Sequence, residues 1–321
     1  MKAENWLIKD TRIAPGEQTE VKLAVGQLPS GNLIPIRAQI FRAKRPGPTM
    51  LVMGGVHGDE INGVEIVRQA LAGGLFESLL CGSVIAIPVL NVYGFINFSR
   101  DVPDGKDVNR SFPGSSSGSL ASRVANTLHK HILPLVDFGL DCHTGGQNNY
   151  NYPQIRYTRG DEKAAELAKV FGAPFTIAYT PIRKSLRKVS QSHHAFPMLV
   201  FEGGENLRYD GLSIEFGLRG IRRLLVHHGM LAGTKEVVVS EHFAKSRWVR
   251  APKAGLFQWM KPSGHRVRKG EPLGFIHDPY GHKSARYVHA PRDGHIIGHN
   301  NTPVVGQGDA LFHVAYHEEE E

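Results

Sequence analysis

TMLVMGGVHGDEINGVEIVRQALA, residues Thr49 to Ala72, reads as strand, loop and helix in succession. Thr49 to Gly54 is a short apolar run closed by glycine, the mark of a buried strand. From Ile61 to Ala72 the apolar residues fall three and four apart, which predicts a helix. Between them stand two side chains able to do chemistry, His57 and Glu60, just beyond the strand, where open α/β sheets place their sites.

Outward from this unit the same alternation continues from about Leu33 to His228. Strands are predicted at Ile34 to Arg42, Ser83 to Val89, Val136 to Cys142 and Met198 to Glu202. Helices are predicted at Leu120 to Ile132, at Asp161 to Phe171, and where Ile214, Leu218, Ile221 and Leu225 mark one helical face. The fold class expected is α/β, a mixed and mostly parallel sheet flanked by helices. After about Ser246 the texture changes to short runs punctuated by Gly, Pro and Asp, which predicts short strands and turns. Two halves of this tail echo each other: Ala251-Pro252 and Gly255 match Ala290-Pro291 and Gly294, and Val267, Gly270 and Leu273 match Val305, Gly308 and Leu311. Two domains follow, 1–245 with an N-terminal β segment and 246–321 all-β.

The chain has 321 residues, 41% of them hydrophobic and 21% charged, enough to bury a sizeable core and unlike disordered or collagenous sequences. Only Cys81 and Cys142 occur, too few for a disulfide scaffold or a cysteine zinc cluster. The first residues lack a long apolar core, so a cytoplasmic location is expected. Ser78 to Ser99 is uncharged, but Gly82, Pro88, Asn91, Gly94 and Asn97 interrupt it, so no membrane association is expected. Lys and Arg number 38 against 30 for Asp and Glu, a formal charge of +8. The basic residues are scattered and carry no nucleic-acid motif, so no nucleic-acid partner is expected. One basic stretch, PIRKSLRK at Pro181 to Lys188, can face a site for an acidic substrate. The terminal HEEEE reads as a frayed tail.

Imidazole and carboxylate are both zinc ligands, and hydrolytic zinc uses two His, one Glu and an open fourth position. His57 and Glu60 converge on one ion if the chain turns helically between them. FGLDCHTGG supplies the second imidazole, His143, at the end of another strand. With 17 histidines in the chain a lone H-x-x-E carries little weight, and the surrounding strand-loop-helix context raises it. Arg100 is followed by DGKDVNRSFPG, in which Asn109 and Arg110 pair an amide with a guanidinium suited to gripping a carboxylate; the plain alternative is a polar turn. In FPMLVFEGGEN a strand ends at Glu202, placed to take a proton from a metal-activated water. Glu205 competes for that role, and both can equally be solvated loop carboxylates.

H-x-x-E, D-[LV]-N-R-x-F-P-G, a strand-end His and a strand-end E-x-G follow one another from about Thr49 to Gly204. In that order they resemble the succinylglutamate desuccinylase/aspartoacylase family, relatives of the zinc carboxypeptidases. The resemblance implies a zinc-carboxypeptidase-like fold and one Zn2+ per chain on His57, Glu60 and His143. It implies that Asn109 and Arg110 hold the substrate carboxylate, that Glu202, in the E-x-G position, is the general base, and that Arg100 polarises the scissile carbonyl. The substrate implied is a small anionic N-acyl amino acid. The tail resembles the barrel-sandwich, biotinyl/lipoyl-like module often appended to this family. Lys283 stands near the place of a carrier lysine, but its Gly-His-Lys-Ser setting reads as structural, a cap or a contact in a homo-oligomer. A peptide-cleaving carboxypeptidase is the nearest rival, and a non-catalytic carrier the remote one.

Overall fold

The computed structural model describes residues 5–28, 30–282 and 284–317; Lys283 and the terminal Glu318 to Glu321 lie outside the described residues. A small hairpin of β1 (Trp6–Ile8) and β2 (Thr11–Ile13) precedes a long one of β3 (Gln18–Gln27) and β4 (Leu33–Arg42). The body follows as β5 (Thr49–Met53), α1 (Ile61–Ala72), β6 (Ser83–Ile87), the short α2 (Val92–Ile96), α3 (Leu120–His131), β7 (Phe138–Gly145) and β8 (Asn149–Thr158). It continues with α4 (Glu162–Phe171), β9 (Phe175–Tyr179), α5 (Leu186–His194), β10 (Met198–Glu205), α6 (Gly211–His227) and β11 (Glu241–Phe243). The tail is all β: β12 (Lys245–Arg250), β13 (Gly255–Trp259), β14 (Arg266–Val267), β15 (Pro272–His277), β16 (Arg286–His289), β17 (Gly294–Asn300), β18 (Val304–Val305) and β19 (Ala310–Tyr316).

One mixed sheet runs β12-β19-β17-β8-β10-β7-β5-β6-β4-β3, with β10, β7, β5 and β6 parallel at its centre. Strands β5, β6 and β7 are buried at every position because both faces are covered. Leu51, Met53, Ile85 and Ile87 pack on α3 and α5, through Val124, Leu128, Leu186 and Val189. Met50, Val52, Val84 and Ala86 pack on α1, α4 and α6, through Ile66, Val67, Phe171 and Ile221. Alternate side chains of each strand thus feed two separate cores. No helix among the described residues is long and apolar enough to cross a membrane.

Helix caps are written in the sequence. Ser119, Asp161, Ser185 and Asp210 each accept a backbone N–H in the first turn of α3, α4, α5 and α6. α1 is the exception: Glu60 stands at its N-cap without capping it.

The structure departs from the expected elements in three places. β7 and β10 run on to Gly145 and Glu205, so His143 and Glu202 lie within strands rather than at their last residues. The extension comes from β8, which turns back from β7 and pairs antiparallel with β10. A helix that the sequence did not announce, α5, begins at Leu186 within the basic stretch Pro181 to Lys188 and runs on to His194. Finally, the sheet does not end where the tail begins: β17 pairs with β8 at Asn149 to Asn151, so the tail extends the main sheet directly.

The echoed halves of the tail take matched positions. β14 of the first half pairs with β17 of the second, and β18 of the second pairs with β13 of the first, a reciprocal exchange. Two layers result, β16-β15-β13-β18 and the end of the main sheet. They close over Phe257, Val267, Leu273, Ile276, Ile296, Val305, Leu311 and Phe312. Cys81 and Cys142 are both buried and free.

Candidate active site

His57 and Glu60 hang from the loop between β5 and α1. Gly58, between them, packs so closely on the turn of α2 that a Cβ there would overlap the backbone of Gly94. Only glycine lets the loop fold down at this point, and the fold turns both side chains inward. Glu60 leaves its cap role and accepts from Thr144 N instead (3.2 Å). His143 comes from the parallel neighbour β7.

These three buried side chains meet. Glu60 Oε1 is 2.7 Å from His57 Nδ1, Glu60 Oε2 is 2.7 Å from His143 Nδ1, and the two Nδ1 atoms are 3.2 Å apart. One ligand atom from each lies within 4.8 Å of the others, an arrangement that could hold a metal ion. The outer ring nitrogens are occupied: His143 Nε2 donates to Asp141 Oδ2 (2.8 Å) and His57 Nε2 to Asp107 Oδ1 (3.3 Å). With those protons placed outside, both Nδ1 lone pairs point inward at the Glu60 carboxylate, an arrangement that a metal ion between them satisfies; for His57 the Arg100 guanidinium, 3.2 Å from Nδ1, also answers the lone pair. Without an ion, protons hold the same cluster together. Burial opposes charge on Glu60, yet the two imidazoles hold its carboxyl well below the ordinary range. Burial likewise opposes charge on His143, yet Asp141 and Glu60 raise it well above its ordinary value. The 3.2 Å separation is close to the ~3.3 Å edge of a tetrahedral site with Zn–N bonds of about 2.0–2.1 Å.

Arg100 covers the open side, donating to Glu60 Oε1 (3.1 Å) and Asp107 Oδ2 (2.9 Å). Asp107 also accepts from Asn109 N (2.6 Å), which ties the Asn109-Arg110 turn to the same cluster. Asn109 Oδ1 accepts from Leu186 N (2.9 Å), leaving its amide N–H2 as the donating end. Arg110 stands exposed at the rim.

Glu202 is in register with His143 on the adjacent strand. Its carboxylate is held by Asn151 (2.9 Å) and Arg156 (2.9 Å), both on β8. Glu205 is elsewhere: buried, bonded to Asn301 (2.6 Å), and facing a separate cavity with Asn148 and Arg208. His57, Glu60, His143, Arg100, Asn109, Arg110 and Glu202 all line one cavity of about 540 Å³. The tail supplies part of its wall through Ser246, Arg247, Trp248 and His313.

Four site residues escape sequence reading. Asp141, two residues before His143 on the same strand face, carried a signal in its spacing. Asp107 stood inside a motif without an assigned part. Asn151 and Arg156 act across strands from β8, and nothing local in the sequence announces them.

A family model describing the succinylglutamate desuccinylase/aspartoacylase catalytic domain matches residues 46–228. The N-alpha-acetyl-L-2,4-diaminobutyric acid deacetylase of Halomonas elongata is 29% identical over 284 residues, 84% of this chain and 82% of that protein. A succinylglutamate desuccinylase/aspartoacylase crystal structure from Rhodobacter sphaeroides superposes with a TM-score of 0.82 at 28% identity, covering 94% of this chain and 96% of that one. The product-bound ectoine utilization protein EutE (DoeB) of Ruegeria pomeroyi shares the fold, with a TM-score of 0.83 at 23% identity over 93% of this chain and 94% of that one.

Proposed function

Since the chain belongs to the succinylglutamate desuccinylase/aspartoacylase family, we propose that it is a zinc-dependent amidohydrolase that removes an acyl group from an N-acyl amino acid or a related small carboxylate amide. One observation carries this reading: a buried His-Glu-His cluster, a carboxylate anchored on the neighbouring strand and an amide-guanidinium pair all open into one cavity.

His57 Nδ1, His143 Nδ1 and Glu60 would hold the ion, with Asp107 and Asp141 orienting the imidazoles from behind. A zinc ion there supplies Lewis acidity, polarising a carbonyl and acidifying water. The chain's own residues do the rest. Asn109 and Arg110 grip the substrate carboxylate and set the amide in reach of Glu202. Glu202, fixed by Asn151 and Arg156, takes a proton from the attacking water and returns it to the leaving nitrogen. Arg100 lies beside the cluster, where its guanidinium can stabilise charge developing on the carbonyl oxygen. The products are a carboxylic acid and a free amine.

The catalytic unit is assigned to 1–245 and an all-β, barrel-sandwich, biotinyl/lipoyl-like unit to 246–321; the reciprocal exchange of β14 and β18 supports the latter. The part of the cavity wall that this unit supplies narrows the space for a peptide and favours small substrates over a carboxypeptidase role. The relative from Halomonas elongata puts acetyl groups and α-amino acids first among substrates to try.

Metal analysis combined with a panel of N-acetyl and N-succinyl amino acids, dipeptides and longer peptides tests the proposal. The expected result is about one zinc per chain and hydrolysis of the N-acyl amino acids alone. A metal-free active protein, or turnover only of peptides, would overturn it.

A further inference from the structure

A group of histidines comes together outside the catalytic cavity, from two distant parts of the chain. His129 lies in the last turn of α3, and His193 and His194 close α5. Both helices pack on the same face of the sheet, and their C-terminal ends meet where these rings do. His129 Nδ1 is 3.0 Å from His194 Nε2, with the ring centroids 4.8 Å apart. The exposed His193 ring stands at right angles to His129, its centroid 5.6 Å away.

Among the described residues no carboxylate pairs with these rings. The charges that bear on His129 are His193 and Lys130, and those that bear on His194 are His129 and His193. Burial first, and then these cations, hold both pKa values below the ordinary 6.5, so at neutral pH both rings are uncharged and keep a free lone pair. A protonated histidine at a helix C-terminus gains from the negative end of the dipole, and crowding three together works against that gain. A metal ion draws on the negative ends of two helices and on the lone pairs at once.

In the metal-free protein one of the two close rings donates its N–H to the other's lone pair. Moving that hydrogen to the donor ring's outer nitrogen leaves two lone pairs facing one point, with no proton lost. Metal–nitrogen bonds of about 2.0–2.1 Å span the 3.0 Å separation at roughly 95°, near the right angle of a square-planar or octahedral ion. A donor set made of imidazoles suits copper(II) and nickel(II), and copper(II) the more strongly by the general order of divalent affinities.

We propose that His129 and His194, completed by His193 once its exposed side chain turns inward, form a second metal site for Cu2+ or Ni2+, separate from the His57-Glu60-His143 cluster. An ion bound there staples the end of α5 to α3. The opposite end of α5 begins with Leu186, whose N–H donates to Asn109 Oδ1 (2.9 Å), so the staple steadies the helix that positions Asn109.

Cu2+ dialysed against the zinc-loaded protein tests the site. The wild type should retain about one copper per chain more than the His129→Gln/His194→Gln double variant. Electron paramagnetic resonance of the copper-loaded wild type should show nitrogen hyperfine structure from the imidazoles, and the double variant should lack that contribution. By calorimetry with Ni2+, His129→Gln and His194→Gln should each weaken binding by roughly 10-fold or more, and His193→Gln by less. Neither variant touches the catalytic cluster, so unchanged zinc content and turnover report that each has folded. Saturating Ni2+ should raise the urea midpoint of the wild type and leave that of the double variant in place. Copper stoichiometry and nitrogen hyperfine structure that are the same in wild type and double variant overturn the site, as does Ni2+ affinity indifferent to His129 and His194. An ion lost in the double variant without any difference in urea midpoint overturns the staple.

Discussion

His57 and His143 differ in the partner behind each ring, and that difference can be measured. His143 Nε2 donates to a fully buried carboxylate at 2.8 Å, whereas His57 leans on Asp107 at 3.3 Å, which Arg100 and Asn109 N also engage. Asp141→Asn should therefore weaken metal retention by roughly 10- to 100-fold, read by competition with a chromogenic chelator. Retention equal to wild type would mean that Asp141 serves only the strand. His143→Ala should lose the ion outright. Glu202→Gln keeps the shape and the Asn151 contact but loses the base, so turnover should drop by roughly 10² to 10⁴ with metal content unchanged. Glu205→Gln should do far less, since Glu205 opens into a different cavity; the opposite ranking moves the base to Glu205. The residues that bring lone pairs were legible because H-x-x-E and a second His carry their chemistry in their side-chain types. Asp107, Asn151 and Arg156 were not, because an aspartate, asparagine or arginine means something only once a partner from a distant strand faces it.

Among the elements, α1 decides how close the ligands come. Gly63 on its inner face rests against the Cys142 carbonyl, immediately before His143, and a methyl group there would overlap that backbone. Gly63→Ala should push α1 off β7, costing roughly 1–3 kcal/mol by urea unfolding and lowering metal occupancy in the same variant. An unchanged urea midpoint would show that the contact is slack. The helix itself was plain from sequence, Ile61 to Ala72, since its apolar positions repeat at helical spacing and a buried strand feeds it. β8 was hidden for a physical reason. NYNYPQIRYT is polar and holds Pro153, which argues against a central strand. The proline is tolerated because β8 changes partner there. Its first residues pair with β17 and those from Gln154 onward with β9, and its register with β10 shifts between Asn151 and Gln154. α5 was masked in the same way, its buried face consisting of little more than Leu186, Val189 and Ser190 among basic and polar residues.

For the whole molecule, the tail is bound into the catalytic sheet rather than hung from it. β17 extends β8, Gln154 donates to Ile297 O (2.8 Å), and Phe175, Ile177, Phe243, Ile297 and Ala315 form a core shared across the join. Losing the tail's packing should therefore cost the cavity its wall of Trp248 and His313, and acid is a way to provoke it. His299, buried on β17 with Nδ1 2.6 Å from Ser263 Oγ, has its pKa pushed down to about 4 by burial, against an ordinary 6.5. A histidine depressed in the folded state takes up its proton more readily when unfolded. Its contribution is thus complete above about pH 6.5 and is lost as the pH falls toward 4, with a full span of about 3 kcal/mol. Urea midpoints measured from pH 7.5 to 4.5 should fall with acid in the wild type and fall less steeply in His299→Gln. Comparing the two slopes cancels the carboxylates, which titrate in both proteins. Parallel slopes would mean that His299 is solvated enough to carry its proton in place, and the acid sensitivity of the join would then have to come from another group.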